Sequence, residues 1–216
     1  MMSSPLPQAR PRRGGRPSRE ETERLNEVVR EHALRLFLDL GYEGTSMDAI
    51  ARAAGTTKAS LYARYPSKEA VFSAVFEWAI MRRDWPVPEP PPPDLDDLEG
   101  ALTAIADAAV RRAVDPTMIK FSRIAISHVS RFPELARRSQ TVAVWPRQQL
   151  VADLLRRHRA TGTIAADDPD ALAEHFLGMV SGAPARLASF GIVRPPEEQE
   201  RHTRELVRLF LRALRP

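Results

Sequence analysis

Residues 41–72 read GYEGTSMDAIARAAGTTKASLYARYPSKEAVF and predict two short helices joined by a tight turn, followed by the start of a third helix. Gly55 permits the positive φ that such a turn requires. The first short helix has one apolar face, because apolar residues recur at i, i+3, i+4 and i+7: Met47, Ile50, Ala51 and Ala54. This pattern is typical of a helix-turn-helix, which places its second helix in the DNA major groove.

Capping residues predict where these helices begin and end. Gly41 ends the preceding helix, since glycine tolerates the left-handed conformation. Thr45 is predicted to cap the first short helix, with Asp48 completing a capping box. A threonine at residues 56–57 caps the second helix, and Pro66 ends it.

The second short helix has a polar and small-residue face that packing alone does not require. Leu61 and Tyr65 form its predicted buried side. The residues predicted to face outward are Lys58, Ala59, Ser60, Tyr62, Ala63 and Arg64. We interpret this helix as the one that reads DNA; the alternative is a helical hairpin used only for packing.

The stretch resembles the DNA-binding domain of TetR-family (tetracycline-repressor-like) transcriptional regulators over roughly residues 21–79. The motifs that carry the resemblance are the Gly-Thr-Ser opening, the Ala-x-x-Ala-Gly turn, the Leu-Tyr pair and the Pro-Ser-Lys-Glu exit, in that order. The resemblance implies an all-α fold, in which an N-terminal three-helix helix-turn-helix domain precedes an α-helical ligand-binding and dimerisation domain. It also implies a homodimer that binds a double-stranded operator.

The resemblance assigns roles to individual residues. It implies that Thr45 and Ser46 contact phosphate and that Thr57, Lys58 and Ala59 face bases. Further contacts with phosphate and groove are implied for Tyr62, Arg64 and Lys68, and the predicted surface also includes Thr56, Ser60 and Ala63. At residues 63–64 the family often carries an aromatic or polar residue followed by histidine, whereas this chain has alanine and arginine. The operator sequences of other family members therefore do not predict the operator of this chain.

The N-terminal arm, residues 1–17, carries most of the excess positive charge. Its prolines, glycines and lack of periodicity predict disorder in isolation. Five arginines precede the first acidic residue, Glu20, and the rest of the chain has 27 basic against 28 acidic residues. The Arg-Gly-Gly-Arg-Pro segment resembles AT-hook-like arms, which predicts minor-groove contacts by Arg13 and Arg16. The alternative is a solubilising tail.

Composition excludes several function classes. The chain has no cysteine, so thiol catalysis and cysteine-ligated metals are excluded. We expect a cytoplasmic protein, because no apolar run reaches membrane-spanning length and no secretory signal is visible. No catalytic motif is present and the five histidines are scattered, so we predict no enzymatic activity, no metal and no cofactor. A helical-bundle enzyme is the alternative that a bound metal or cofactor would favour.

The predicted domains are residues 18–66 for DNA binding and 67–216 for regulation and dimerisation. Within the second, 67–83 form a connecting helix and 84–94 a proline-rich loop. Six prolines in residues 85–94 favour a stiff spacer over a docking motif. The segments Arg-Phe-Pro-Glu-Leu (131–135), Trp-Pro (145–146) and Asp-Asp-Pro (167–169) resemble the AefR-like branch of the family.

Several features of the second domain are predicted in more detail. Asp94 is predicted to cap the helix that follows the proline-rich loop. Pro133 is predicted to open a long helix that is kinked at Pro146. The last two helices carry a broad apolar stripe with Gly178, Gly182 and Ala183, which predicts the homodimer contact. A mostly apolar ligand pocket is predicted at Phe121, Ile124, His128, Trp145, Gln149, His175 and Met179.

The resulting hypothesis is a repressor that a hydrophobic small molecule releases from a palindromic operator. The alternative is a ligand-independent DNA-binding or architectural protein, or a regulator controlled by a protein partner.

Overall fold

The computed structural model describes residues 19–82, 86–133 and 145–215, and every regular element in these ranges is helical. The all-α prediction is therefore confirmed. The helices are α1 (Arg19–Gly44), α2 (Met47–Ala53), α3 (Lys58–Arg64), α4 (Lys68–Met81), α5 (Leu98–Ala113), α6 (Pro116–Ser127), α7 (Trp145–Ala160), α8 (Pro169–Leu177), α9 (Ala183–Ser189) and α10 (Pro196–Ala213). A π-helical segment, Gly178–Gly182, joins α8 to α9. The predicted arm, with Arg13 and Arg16, lies outside the described residues.

Helices α1 to α4 pack around one apolar core. Gly41 has φ 72°, so α1 is broken there as predicted, and the chain turns toward α2. The largest buried side chains of this core include Phe37, Tyr42, Ile50 and Leu61. Helix α4 adds Val71, Phe72, Val75, Phe76 and Ala79, which are all buried, as the periodicity predicts. The core also takes up two side chains from beyond α5, Phe121 and Phe132.

Helices α5, α7, α8 and α10 surround a second apolar core. Phe176 and Phe210 pack with their ring centroids 4.9 Å apart at its centre. Asp168 caps α8 by accepting hydrogen bonds from the backbone N–H groups of Asp170 and Ala171. Helices α5, α7, α8 and α10 therefore share a core that is separate from the first, whereas Phe121 of α6 and Phe132 pack in the first core.

One predicted helix start is wrong. Asp97, not Asp94, caps α5, and it accepts from the Gly100 amide at 3.0 Å. Asp94 instead accepts from the Asp96 amide and forms the turn before the helix. The long helix predicted to open at Pro133 and to be kinked at Pro146 crosses residues 134–144, which lie outside the described residues, so both features stay predictions.

Candidate nucleic-acid interface and ligand cavity

The α2–α3 turn is held by hydroxyl caps, one of which differs from the prediction. Ser46, not Thr45, caps α2, and its Oγ accepts from the Ala49 amide at 3.2 Å. Thr45 is 2% exposed, and its hydroxyl donates to the carbonyl of Gly41 at 2.8 Å. Ser46 therefore presents the exposed hydroxyl at this helix start, whereas a phosphate contact by Thr45 would require its buried hydroxyl to turn outward.

Helix α3 presents a surface that suits the predicted DNA contacts. Thr57 caps the helix by accepting from the Ser60 amide at 3.1 Å, and it is exposed together with Lys58 and Ala59. Tyr62 is 42% exposed, which is unusual for an aromatic ring in the middle of a short helix. Because these exposed groups share α3 while Leu61 anchors the opposite face, the helix can enter a groove without disturbing the core.

Two residues of α3 are less exposed than predicted. The guanidinium of Arg64 donates to Ser60 Oγ at 2.9 Å, and both side chains are half-buried. Arg64 therefore lies back along its own helix. Among the remaining predicted contacts, Ala63 is exposed and Thr56 is half-buried.

Lys68 is committed to an intramolecular role. Its Nζ donates to the carbonyl of Tyr42 at 2.9 Å and lies 4.3 Å from the centroid of the Tyr42 ring. It also lies 3.8 Å from a carboxylate oxygen of Glu43. Lys68 therefore links the start of α4 to the segment before α2. In the predicted phosphate contact, the positive charge of Lys68 would be shared between the phosphate and the groups of Tyr42 and Glu43.

An acidic side chain neighbours the predicted base-reading end of α3. Lys58 Nζ lies 2.8 Å from Asp48 Oδ1, and both side chains are 59% exposed. The hydrogen bond and charge of Asp48 raise the pKa of Lys58. Since exposed ion pairs contribute little to stability, this pair matters mainly for the electrostatics of the surface.

We expect Asp48→Asn to raise the affinity for any DNA duplex by about threefold to tenfold at low salt. The change removes a negative charge beside the predicted interface and leaves Lys58 available to phosphate. Fluorescence anisotropy over a salt series should show the slope of log affinity against log salt steepening by about one. Glu174→Gln, an exposed carboxylate on α8, is the control and should change neither quantity. An unchanged slope for Asp48→Asn would place residue 48 away from the DNA.

An aromatic cluster joins the end of α6 to the DNA-binding core. The Tyr42 ring lies 4.8 Å from the His128 ring and 5.8 Å from the Phe132 ring, measured between centroids. Phe72 of α4 lies 5.0 Å from both Tyr42 and Phe132. These contacts place the segment that follows α6 directly against the helix-turn-helix.

Charged groups reinforce the same junction. Arg131 forms an ion pair with Glu69 in the first turn of α4 and lies 3.7 Å from Glu43. The pKa of Glu69 falls to about 2, chiefly through hydrogen bonds from its own backbone amide and from Ser67. Burial raises the pKa of Tyr42 to about 12, and the nearby Glu69 carboxylate adds to this shift. Glu69 therefore keeps its negative charge at physiological pH, and its carboxylate pairs with the guanidinium of Arg131.

A cavity of about 350 Å³ lies between the two cores and is referred to below as the central cavity. Its walls come from five parts of the fold: α4, α5, α6, the start of α7 and the α8–π junction. Most of its lining is apolar, and the polar groups at its edge are Arg112, Ser122, Arg147 and Ser181. Phe76 of α4 and Phe121 of α6 stack at 4.5 Å in its wall. Its size and lining are typical of small-molecule sites.

The structure brings only one of the predicted pocket residues into this cavity. Phe121 lines it, but Ile124 and His128 pack against the DNA-binding core. Gln149 is half-buried outside the lining, and His175 and Met179 are exposed. The side chain of Trp145 lies outside what the structure describes. The structure therefore does not place Ile124, His128, Gln149, His175 and Met179 in the lining of the central cavity, and ligand contacts by these residues stay predictions.

The predicted and the observed cavity linings differ because α6 packs against neighbours on two of its faces. The helix is apolar on two faces, and the face with Phe121, Ile124 and His128 turns toward the DNA-binding core. The neighbouring face turns toward the cavity and contains Met118, Ser122, Ala125 and Ile126. Small Ser122 and Ala125, spaced by three residues, were the signal that could have identified the cavity-facing side.

Several large apolar side chains remain exposed near the C-terminal helices. They are Met179, Phe190, Ile192, Val193 and Leu209, and Phe190 is 76% exposed. The predicted small residues Gly178, Gly182 and Ala183 are exposed as well. Within the described ranges, no group of three or more His, Cys, Asp or Glu side chains is placed to hold a metal ion. No described helix is long and apolar enough to span a bilayer.

Comparison with known proteins identifies the family. Residues 29–75 match the family described as bacterial regulatory proteins, tetR family, and residues 100–216 match the AefR-like transcriptional repressor C-terminal domain. The chain belongs to the TetR family of transcriptional regulators. TetR-family proteins bind DNA and are not enzymes, so the predictions of a DNA-binding regulator and of no enzymatic activity are confirmed.

Two solved structures are similar to this chain over most of its length, at different levels of sequence identity. The Flavonoid-responsive Regulator FrrA is 33% identical, with a TM-score of 0.73 over 90% of this chain and 98% of its own. A TetR-family regulator from Mesorhizobium loti is 24% identical, covers 93% of this chain, is itself covered completely, and shares the fold with a TM-score of 0.74.

Two curated relatives match over part of the chain. AcrR from Shigella flexneri is 34% identical over 29% of this chain and 29% of its own length. The negative regulator IcaR from Staphylococcus epidermidis is 35% identical over 22% of this chain and 26% of its own length. This chain therefore matches less than a third of the length of either relative.

Proposed function

We propose that this TetR-family regulator is a homodimeric repressor, and that an apolar small molecule bound in the central cavity releases it from a palindromic operator. It would act in the cytoplasm, where its DNA target lies. In this proposal, residues 1–17 form a basic arm, residues 18–66 bind DNA, and residues 67–216 bind the ligand and form the dimer. The observation that carries the proposal is that one cavity is bounded both by α4 and by the regulatory helices.

The first step of the argument concerns the coupling of the cavity to the DNA-binding domain. Phe76, in the cavity wall, lies one helical turn from Phe72, which packs on Tyr42 and Phe132. Helix α6 forms another wall and continues into Arg131, which pairs with Glu69 at the start of α4. A ligand that displaces α6 from α4 would therefore change the position of α3, which directly precedes α4.

The second step concerns the symmetric partner. A single short reading helix contacts few base pairs, so two half-sites about 34–36 Å apart require a twofold pair. The π-helical segment presents Ser181 to the cavity and Met179 to the surface. π-helical insertions are frequent at functional sites. This segment borders both the cavity and the surface, so it is suited to transmit ligand binding in the cavity to the contact between the two copies of the proposed dimer.

The ligand class to test first is a planar aromatic compound. FrrA, the 33% identical relative, carries the description flavonoid-responsive, and the apolar lining of the central cavity suits an aromatic body. The energetic demand is modest: an induction factor of about 10–100 requires roughly 1.4–2.7 kcal/mol of differential affinity between the two states.

The test begins with selection of bound duplexes from a random DNA pool by the full chain. We expect an enriched palindrome bound by two copies, and we expect planar aromatic compounds to release it in an anisotropy assay. Ala113→Phe fills the central cavity from the last residue of α5 and should raise the releasing concentration by at least about tenfold. Ala160→Phe is the control, since Ala160 ends α7, is exposed and lines no described cavity.

Two results would contradict the proposal. Failure to enrich any sequence would favour an architectural role over an operator-specific one. An enriched palindrome that no apolar compound releases, together with unchanged thermal unfolding in their presence, would favour the ligand-independent or partner-controlled alternative.

A further inference from the structure

A second cavity lies beneath the proline-rich segment, and its lining includes Ile105, which also belongs to the second core. It has a volume of about 440 Å³, which is within the usual range of small-molecule sites. Its roof is Pro90–Pro93, its floor is the face of α5 with Ala104 and Ala108, and its side is Leu150 of α7. We call residues 86–95 the strap and this space the strap cavity.

The strap is tied down near its C-terminal end. Arg157 forms an ion pair with Asp96, and Nε2 of His158 lies 3.0 Å from the carbonyl of Leu95, which suits donation by the Nε2–H tautomer. His158 is 9% exposed, so this contact is part of the packed structure. The strap therefore ends at a fixed point on α7.

The composition of the strap explains why the cavity stays open. Consecutive prolines favour a stiff extended conformation, so the strap resists collapse onto α5. Proline has no backbone N–H, so Pro90–Pro93 present ring carbons and no main-chain donor to the space. Ala104 and Ala108 leave room below, because neither extends beyond its Cβ. The result is a mainly apolar cavity whose roof is stiff.

One cationic side chain borders both cavities. Arg147 lies in the lining of the central cavity and in that of the strap cavity. Its guanidinium has five N–H donors, so it can bind an acidic group of a ligand and still keep contacts within the protein. Glu89, which also borders the strap cavity, is exposed and faces solvent at its edge.

We propose that the strap cavity is a second compartment of the ligand site, which takes a flat apolar ring system whose acidic group binds Arg147 between the two cavities. The ligand class is thereby narrowed to aromatic acids with an ionised carboxylate, sulfonate or phenolate group. The inference rests on the proposed function in one respect, that the central cavity takes the other end of the ligand.

Two related fluorescent probes test the proposal on the full chain. Anilinonaphthalene sulfonate is an aromatic anion with a flat naphthalene ring, and phenylnaphthylamine is its neutral counterpart. We expect the anionic probe to bind the wild-type protein, and Ala104→Phe, which narrows the strap cavity alone, to weaken that binding by at least about tenfold. Ala160→Phe should leave the affinity within twofold of wild type.

Arg147→Gln separates charge recognition from cavity filling. We expect the affinity of the anionic probe to fall by about tenfold and that of the neutral probe to change less than twofold. Arg111→Gln, an exposed arginine on α5 outside both linings, is the matched control. Because Arg147→Gln leaves both cavities open, it tests the proposal even if Ala104→Phe impairs folding.

The outcomes distinguish the two proposals. Loss of probe binding in Ala113→Phe but not in Ala104→Phe or Arg147→Gln would overturn the strap compartment and leave the central cavity standing. Loss in Ala104→Phe and Arg147→Gln but not in Ala113→Phe would support the strap compartment and overturn the central cavity as the effector site. Equal affinities in all variants, or no binding by wild type, would overturn both.

Discussion

Replacement of Phe72 by alanine should lower the free energy of unfolding by about 3–5 kcal/mol, the range for a large aromatic side chain removed from a packed core. Phe72 is 4% exposed, and its ring centroid lies 5.0–5.1 Å from those of Phe37, Tyr42 and Phe132. The cavity left behind would open where α1, α4 and the segment after α6 meet. Because three parts of the chain lose the same partner, local repacking cannot refill the space.

The measurement is urea unfolding followed by circular dichroism at fixed protein concentration. Tyr62→Ala is the matched control, since it removes another aromatic ring from the same domain but one that is 42% exposed. We expect its effect on the free energy of unfolding to stay within about 0.5 kcal/mol, whereas its DNA affinity should fall for all sequences. Similar stability for the two variants would mean that Phe72 does not organise the junction.

The sequence predicts the helix-turn-helix well because its determinants are local. Gly41 and Thr57 act on backbone groups within a few residues, and both have roles that the sequence predicts. The cap of α2 was assigned one residue too early because Thr45 and Ser46 are adjacent hydroxyl residues. What decides between them is tertiary: Thr45 fits into the buried turn and donates to Gly41, which leaves Ser46 at the cap.

The cavity was harder to predict because several distant segments build it. Helix α6 has apolar residues on two faces, and nothing in its own periodicity tells which face meets α4 and which meets the cavity. The strap was predicted as a spacer from its prolines, and the structure adds what it covers. The position of the strap depends on Arg157 and His158, which contact its C-terminal end and lie more than sixty residues further along the chain.

Introduction of a charge at residue 209 should separate the proposed dimer into monomers. Leu209 is 58% exposed on α10, although the adjacent Val207 and Phe210 are buried in the second core. In a twofold interface each substitution occurs twice, so Leu209→Glu would place two carboxylates in the same desolvated contact. Sedimentation velocity should then show a monomer at concentrations where wild type is a dimer.

The loss of the dimer would have a large effect on DNA binding. Two linked half-site contacts exceed the affinity of one by about 10²–10⁴, so operator affinity should fall by at least about 100-fold. Leu40→Glu is the control, because Leu40 is also an exposed leucine, at 54%, but lies on α1. A dimeric Leu209→Glu protein with unchanged operator affinity would move the interface away from α10. A monomer that still binds a single half-site tightly would instead show that dimerisation serves regulation more than recognition.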